Sequence, residues 1–405
     1  METYELAIVG AGPAGLMATI AAAQKGKKVI LLEKNELIGR KILATGNGRC
    51  NLTNKNINAD SYHGASDAFI KNILGKFNQV QTMDFFESLG VALKEEDRGR
   101  IFPRSNQAST IVTALKQAIE ESNITLKTNV TVKSVDKCSY FVIKTENGLS
   151  FEAKKLILST GGKAAFQFGS SGDGIFWASK LGHKIVPIFA ALVPIETKET
   201  WVKEVQGIKI EVKVTTKVDN KTIQESFGDC LFTHFGLSGP AVMAQAGKIS
   251  PLLNSNSVKI FIDLYPEITE QDLDQKIEQI FKNNNKKTLS NSLLGLFPAK
   301  LVPIILSLAG VDQNKNASEI SKTDRLKIVR CIKGTELTVK KVRPLKEAQV
   351  SRGGIDTTEI DQNTLESKLI KGLYFAGEIM DVDGDSGGFN LQWAWSSGFV
   401  AGQTN

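Results

Sequence analysis

A chain of 405 residues, 41% hydrophobic and 23% charged, is long enough for two or three domains with separate cores. It contains no run of eighteen apolar residues, so no membrane-spanning helix is expected, and its four scattered cysteines and three histidines give neither a disulfide framework nor metal-ligand spacing. The net charge of +7 has two readings, an ordinary basic surface or a polyanionic partner such as RNA, and no basic motif interleaved with aromatics decides between them.

The N-terminus reads as a strand, Tyr4 to Val9, with no basic n-region or cleavage site. With unpaired cysteines this predicts a cytoplasmic protein. The strand runs into Gly10-Ala11-Gly12-Pro13-Ala14-Gly15 and then a helix over 13–25. Gly10 permits the bend, Gly12 admits a pyrophosphate to the backbone, and Gly15 allows close packing of the helix. The helix start then offers free N–H groups to phosphates. A second strand, Lys28 to Leu32, ends at Glu33, an acid placed to accept ribose hydroxyls. These elements in register predict a dinucleotide site.

Beyond it, a glycine-rich loop over 39–51 precedes helical stretches near 66–89 and 107–122. Short strands follow at 125–127, 130–135 and 141–144, with Asn147-Gly148 as a hairpin turn, then a buried-type strand from Lys155 to Ser159 and a helix over 173–181. Residues 188–262 alternate as strands, with Asp219-Asn220 at a turn, and 267–331 change to a helical period opening at the N-cap Thr269. Strand character returns at 336–343. The simplest organisation is a nucleotide-binding domain split between 1–187 and 345–405. It is interrupted by a β module (188–265 plus 334–344) and a helical module (266–333).

Later motifs favour FAD over NAD. A strand ending in Thr160-Gly161-Gly162 returns the chain to the cofactor. Another, Gly372 to Phe375, delivers Gly377 toward a pyrophosphate and Glu378 toward ribityl hydroxyls, which NAD lacks. Gly387-Gly388 precede a helix starting near Asn390, whose positive end suits the flavin N1–C2=O edge. No second GxGxxG follows a strand, so any NAD(P)H donor is expected to visit the flavin transiently. Cys50 has no nearby cysteine for a redox disulfide.

The run from Gly39 through Asn54, the segment Gly169 to Gly174, the segment Leu231 to Pro240, and the tail from Gly372 through Trp395 together resemble the BaiN/RdsA family of bacterial FAD-dependent oxidoreductases. The resemblance implies an α/β fold, a Rossmann-like FAD-binding domain of the two-dinucleotide flavoprotein type, interrupted by a β-barrel-like module and a helical module. It implies FAD contacts from Arg40, Lys41, the Thr45–Asn51 loop, the backbone of Val130, and Gly377, Glu378, Gly388, Asn390 and Leu391. Arg40, Lys41 and Arg49 suit the neutralisation of a diphosphate. The expected cofactor set is Gly10, Gly12, Pro13, Ala14, Gly15, Glu33, Lys34, Arg40, Lys41, Thr45, Gly46, Asn47, Gly48, Arg49, Cys50, Asn51, Val130, Thr160, Gly161, Gly162, Gly377, Glu378, Asp385, Gly388, Asn390 and Leu391, with no metal.

Family members reduce activated carbon–carbon double bonds in steroid-like enones or in uracil of ribosomal RNA. The expected reaction is hydride transfer from NAD(P)H through flavin N5 to such a bond, with a general acid protonating the neighbouring carbon. His234 and Cys50 are candidates for that acid, against a turn histidine and a packed thiol. Asp381, Asp383 and Asp385 either orient substrate or form a solvated turn, and His183, Trp393 and Trp395 read as structural. An O2-dependent amine oxidase and a non-catalytic flavin-binding protein are the alternatives. Substrate, partner and oligomeric state stay open between small molecule and ribosomal RNA.

Overall fold

The computed structural model describes residues 3–122 and 124–404. The chain divides into two compact units, Met1–Phe189 with Gln349–Asn405, and Ala190–Ala348.

The first unit is built on a seven-stranded sheet. Its parallel part orders Ile124–Lys127, Val29–Leu32, Thr3–Val9 and Ser150–Leu158, with Leu373–Phe375 beside the second half of Ser150–Leu158. Val29–Leu32 and residues 6–9 and 156–158 of the next two strands are continuous buried apolar runs, as a parallel sheet covered on both faces requires. Their register is the feature that matters. Val9 pairs with both Leu32 and Leu158, and Leu158 pairs with Phe375, so the strands end at one level. Whatever follows each strand is delivered to the same edge.

The strand predicted from Lys155 begins earlier, at Ser150, because residues 150–153 pair antiparallel with 141–144 across the Asn147-Gly148 turn. The stretch predicted as helical over 66–89 is two helices, Asp67–Lys76 and Gln79–Ser88. Asn78 breaks it: its side chain accepts the Val80 and Gln81 N–H groups, and Gln81 reaches back to the Asn78 N–H in a capping box.

Helices Pro13–Ala23 and Phe389–Gly402 pack closely because glycine is spaced one turn apart on the second. A Cβ on Gly398 would stand 2.3 Å from the Ala14 carbonyl oxygen, and one on Gly402 would stand 2.4 Å from that of Ala18. Trp393 and Trp395 are buried on the same helix, and the Trp395 indole donates to the Leu52 carbonyl. The Gln392 amide is buried and satisfied by Thr53, Thr82, Ser396 and the Phe77 carbonyl.

The second unit holds a closed antiparallel barrel in the order Ile195–Thr197, Gly236–Ser238, Lys221–Phe232, Lys209–Val218, Val258–Asp263 and Thr335–Val342, which returns to the first strand. Asp219 and Asn220 both have left-handed φ (47° and 63°), the geometry of a tight hairpin turn. Between the last two strands the chain forms four helices, Glu270–Asn283, Leu289–Leu293, Leu301–Leu308 and Lys322–Lys333. Side chains of Thr269, Thr288 and Ser321 cap three of them. No helix among the described residues is long and apolar enough to cross a membrane.

Candidate functional site

The level strand ends place four chain segments together. After Val9 comes the glycine turn, with Gly10 at φ 102° and Pro13 opening the helix. A Cβ on Gly15 would collide with the Gly10 carbonyl and the Ser159 hydroxyl, so Gly15 packs against the turn and the neighbouring strand end. A Cβ on Gly12 would meet nothing within 4 Å, so space lies open over the helix start. After Leu32 comes Glu33, 8% exposed, with Oε2 accepting the Ala11 N–H at 2.8 Å and Oε1 accepting the Asn35 N–H at 2.8 Å. The carboxylate is thereby fixed beside the turn with acceptor capacity remaining. The Val130 N–H donates to the Glu33 carbonyl, so only the Val130 carbonyl is left to meet an adenine.

After Leu158 comes Ser159, whose hydroxyl bonds to Val9 and Gly10 carbonyls and ties the crossing strand to the turn. After Phe375 comes Gly377, whose N–H donates to the Ser397 hydroxyl and whose absent Cβ leaves room for Ala14. Glu378 is held from two sides. Its Oε1 accepts the Ser351 N–H and hydroxyl, each at 2.9 Å, and its Oε2 faces Lys41 Nζ at 2.8 Å.

The basic loop is arranged differently from the expected diphosphate clamp. Lys41 pairs with Glu378, and Arg49 pairs with Glu96 at 2.9 Å while lying over the Phe102 ring. The Glu96 carboxyl is held below the usual range by Lys94 and Arg49. Lys34 pairs with Asp173 at 3.1 Å and bonds to Ser171. Arg40 bonds to the Asn35 amide oxygen at 2.7 Å, which leaves its charge without a carboxylate partner among the described residues. The loop itself needs left-handed backbone at Gly46, Asn47, Gly48 and Cys50. Thr45 turns its hydroxyl back to the Ile42 carbonyl.

Cys50 is fully buried, and burial pushes its thiol up to about 12. It fills the loop interior. His234 lies on the barrel unit, exposed in the turn between Lys221–Phe232 and Gly236–Ser238, edge-on to Phe235. The Asn390 amide is engaged within its own loop. The amide clamps the loop before it, accepting the Gly384 N–H at 2.8 Å and donating to the Gly384 carbonyl at 2.7 Å. Gly388, with φ 105°, is the N-cap of a helix that no side chain caps and that begins at Phe389, one residue earlier than the expected Asn390, and Leu391 is buried within it. Asp385 is engaged by His63, Nε2 to Oδ1 at 2.9 Å.

Two observations show that these residues suit FAD. The open space over Gly12 lies at a helix start, where a diphosphate is favoured. Asn51 Oδ1 and Thr160 Oγ1 are buried without a hydrogen-bond partner, and both belong to the expected cofactor contacts. An orphaned buried polar atom costs about 1–3 kcal/mol, a cost that a bound ligand would offset.

His63, Arg352 and Asp383 were not legible as a group. Strand Tyr62–Gly64 pairs with Val382–Gly384 so that His63 stands opposite Asp383. Arg352 holds the buried Asp383 through two bonds of 2.8 and 2.9 Å. Asp381 accepts the Gly353 N–H, and burial with Asp383 nearby pushes its carboxyl up. Asp381 and Asp383 are buried, the first bonded to backbone and the second paired with Arg352, so they do not form a solvated turn. The alternation Asp381-Val382-Asp383-Gly384-Asp385 was a signal for a strand, but nothing in the sequence marks His63 as its partner.

The family model of the HI0933-like protein Rossmann domain matches residues 4–404. The chain is 36% identical over 402 residues to the 3-dehydro-bile acid delta(4,6)-reductase of Clostridium scindens, covering 98% of each chain. It is 31% identical to the ribosomal RNA dihydrouridine synthase of Escherichia coli, covering 100% of this chain and 98% of the relative. The solved 3-ketosteroid delta1-dehydrogenase from Sterolibacterium denitrificans, in complex with 1,4-androstadiene-3,17-dione, superposes with a TM-score of 0.51 at 14% identity. That match covers 100% of this chain and 99% of the other, and it shows a shared fold. With a family model spanning nearly every residue and full-length relatives above 30% identity, the chain belongs to the HI0933-like, BaiN/RdsA family of FAD-dependent oxidoreductases.

Proposed function

We propose that the protein carries hydride from NAD(P)H to the activated carbon–carbon double bond of a small molecule, using FAD held at the level strand ends. The observation that carries this reading is the convergence at one edge of Gly12, Glu33, Thr160 and Gly377, with two buried polar atoms awaiting a ligand. The flavin supplies the hydride carrier. The protein supplies the rest: the start of Pro13–Ala23 for the diphosphate, Glu33 for ribose hydroxyls, Asn51 and Thr160 for polar edges, and the uncapped start of Phe389–Gly402 for charge that develops on reduction.

For the proton, His63 takes the place of Cys50. Its Nε2 is fixed by Asp385, beside the loop that Asn390 clamps, and as the imidazolium it carries on its other ring nitrogen the proton to deliver, leaving the neutral ring bonded to Asp385. The 36% identity to a bile-acid reductase supports a small-molecule enone as the substrate class. The net charge and the 31% identity to a ribosomal RNA dihydrouridine synthase support a second reading, uracil in ribosomal RNA.

One experiment separates them. The flavin-loaded protein is reduced anaerobically with NAD(P)H, then mixed with a steroid 4-en-3-one, while dihydrouridine is mapped in ribosomal RNA of a deletion strain. Rapid reoxidation by the enone with unchanged dihydrouridine supports the first reading. Loss of dihydrouridine moves the assignment to RNA, and failure of the protein to bind FAD ends both.

A further inference from the structure

The first unit contains a cavity of about 940 Å³ that none of the cofactor motifs explains. It lies away from the level strand ends. Lys154 and Lys155 are in the middle of Ser150–Leu158, Gly372 just precedes Leu373–Phe375, and Gln403 follows the far end of the last helix. Five lysines from four segments line it, Lys76, Lys137, Lys154, Lys155 and Lys371, with Lys76 Nζ donating to the Asn363 carbonyl and Lys137 and Lys155 Nζ lying over the Phe141 and Tyr374 rings. None of them has a carboxylate within ion-pairing distance among the described residues. Glu366 is the one acid in the lining, and its Oε1 already accepts the Gly372 N–H. Lys27 stands behind the wall, donating to the Thr404 hydroxyl, and burial with Lys155 nearby pulls its ammonium below the usual lysine range.

The floor is of opposite character. Leu369 is 53% exposed beside Ile370, and the Phe399 ring is stacked on Phe77 at 4.5 Å. Like charges gathered on one wall repel one another, and a bound anion would relieve that repulsion. The volume falls in the range of small-molecule sites, about 300–1,000 Å³. An inorganic anion would leave the apolar floor wet, and a neutral apolar ligand would strip water from the lysines without replacing it.

We propose that this cavity binds a nucleoside polyphosphate, with its phosphates against the lysine wall and its flat ring against Leu369 and Phe399. The test uses full-length protein saturated with FAD, titrated calorimetrically with adenosine triphosphate, inorganic tripolyphosphate and an octauridylate. The nucleotide is expected to bind about tenfold more tightly than tripolyphosphate. The double substitution Lys154→Gln with Lys155→Gln is expected to weaken it about tenfold or more, with flavin absorbance unchanged. Octauridylate, which offers phosphodiesters and no polyphosphate, is expected to bind more weakly than the nucleotide, and tighter binding with the same sensitivity to the lysine variant would overturn the assignment in favour of RNA. Absence of binding by both, or binding indifferent to the lysine substitutions, overturns the site. Should the double variant fold poorly, Leu369→Ser at an exposed position gives the second readout. It is expected to abolish the preference over tripolyphosphate, and an intact preference would overturn the proposed seat for the ring.

Discussion

Lys41 Nζ lies 2.8 Å from Glu378 Oε2, joining residues 337 positions apart across the expected cofactor site. Their side chains are 21% and 16% exposed, and Glu378 is fixed on its other oxygen by Ser351. The pair therefore orients an acid that would otherwise be half-buried beside the glycine at 377 without a cation. Lys41→Met is expected to weaken FAD binding about tenfold or more, with partial recovery in Lys41→Arg. Flavin-fluorescence titration of both and of Glu378→Gln, alone and combined with Lys41→Met, should give a coupling energy of about 1–3 kcal/mol. Additive losses would mean that the contact carries no function.

Thr160 Oγ1 is buried without a partner, so its hydroxyl is a burden on the cofactor-free protein. Thr160→Val keeps the shape and removes the orphan. The variant should raise the melting temperature of the cofactor-free protein by a few degrees, on the order of 1 kcal/mol, and lose affinity for FAD. Differential scanning fluorimetry with and without FAD checks both signs. A variant less stable in the free state would show that the hydroxyl has another partner.

The contact between His63 and Asp385 predicts a proton-transfer defect separable from cofactor loss. His63→Gln should retain FAD absorbance yet slow the reoxidation of reduced enzyme by an enone by about 10²-fold, and Asp385→Asn, once saturated with FAD, should slow the same step. Stopped-flow absorbance near 450 nm measures the step. Wild-type rates in both variants would remove the pair from the mechanism.

Gly398 has no room to grow. Its Cβ would stand 2.3 Å from a backbone oxygen of the opposing helix, which cannot yield as a flexible side chain would. Gly398→Ala should cost about 1–3 kcal/mol of unfolding free energy, and Gly398→Val should yield little folded protein. Urea denaturation of the alanine variant is the measure. Wild-type stability would mean that the two helices can separate freely.

His183 is buried, with Nδ1 at 3.1 Å from Glu359 and Nε2 at 2.8 Å from Ser367, and burial pulls it below the ordinary histidine range despite the Glu359 charge. Between its lowered folded value and the unfolded value of about 6.5, the unfolded chain binds more protons. Stability contributed by the neutral ring is present above pH 6.5 and is lost as pH falls below it. The melting temperature should drop between pH 7.5 and 5.5, and the drop should be shallower in His183→Gln. Parallel pH profiles would assign the dependence to other groups.

The glycine turn, Glu33 and the strand ends were legible because each follows from a local demand, a sharp bend or a strand that must stop. The register that brings Gly12, Thr160 and Gly377 to one edge follows from parallel pairing of apolar runs, which sequence patterning also reports. The pairings of Lys41 with Glu378 and His63 with Asp385 were not legible, since they span more than 300 residues and leave no periodic trace. The same holds for Arg49, whose charge looked free until Glu96 was seen beside it. Asn78 is a different kind of miss. The capping box Asn78–Gln81 was there to be read, but helical patterning on both sides masked the break.

The close seating of Gly398 and Gly402 on the N-terminal helix bears on biosynthesis. Pro13–Ala23, which opens on the phosphate-binding turn, is synthesised long before Phe389–Gly402, the helix it packs against. Until Phe389–Gly402 has emerged, Pro13–Ala23 lacks the wall it packs on, and stable coenzyme loading depends on that arrival.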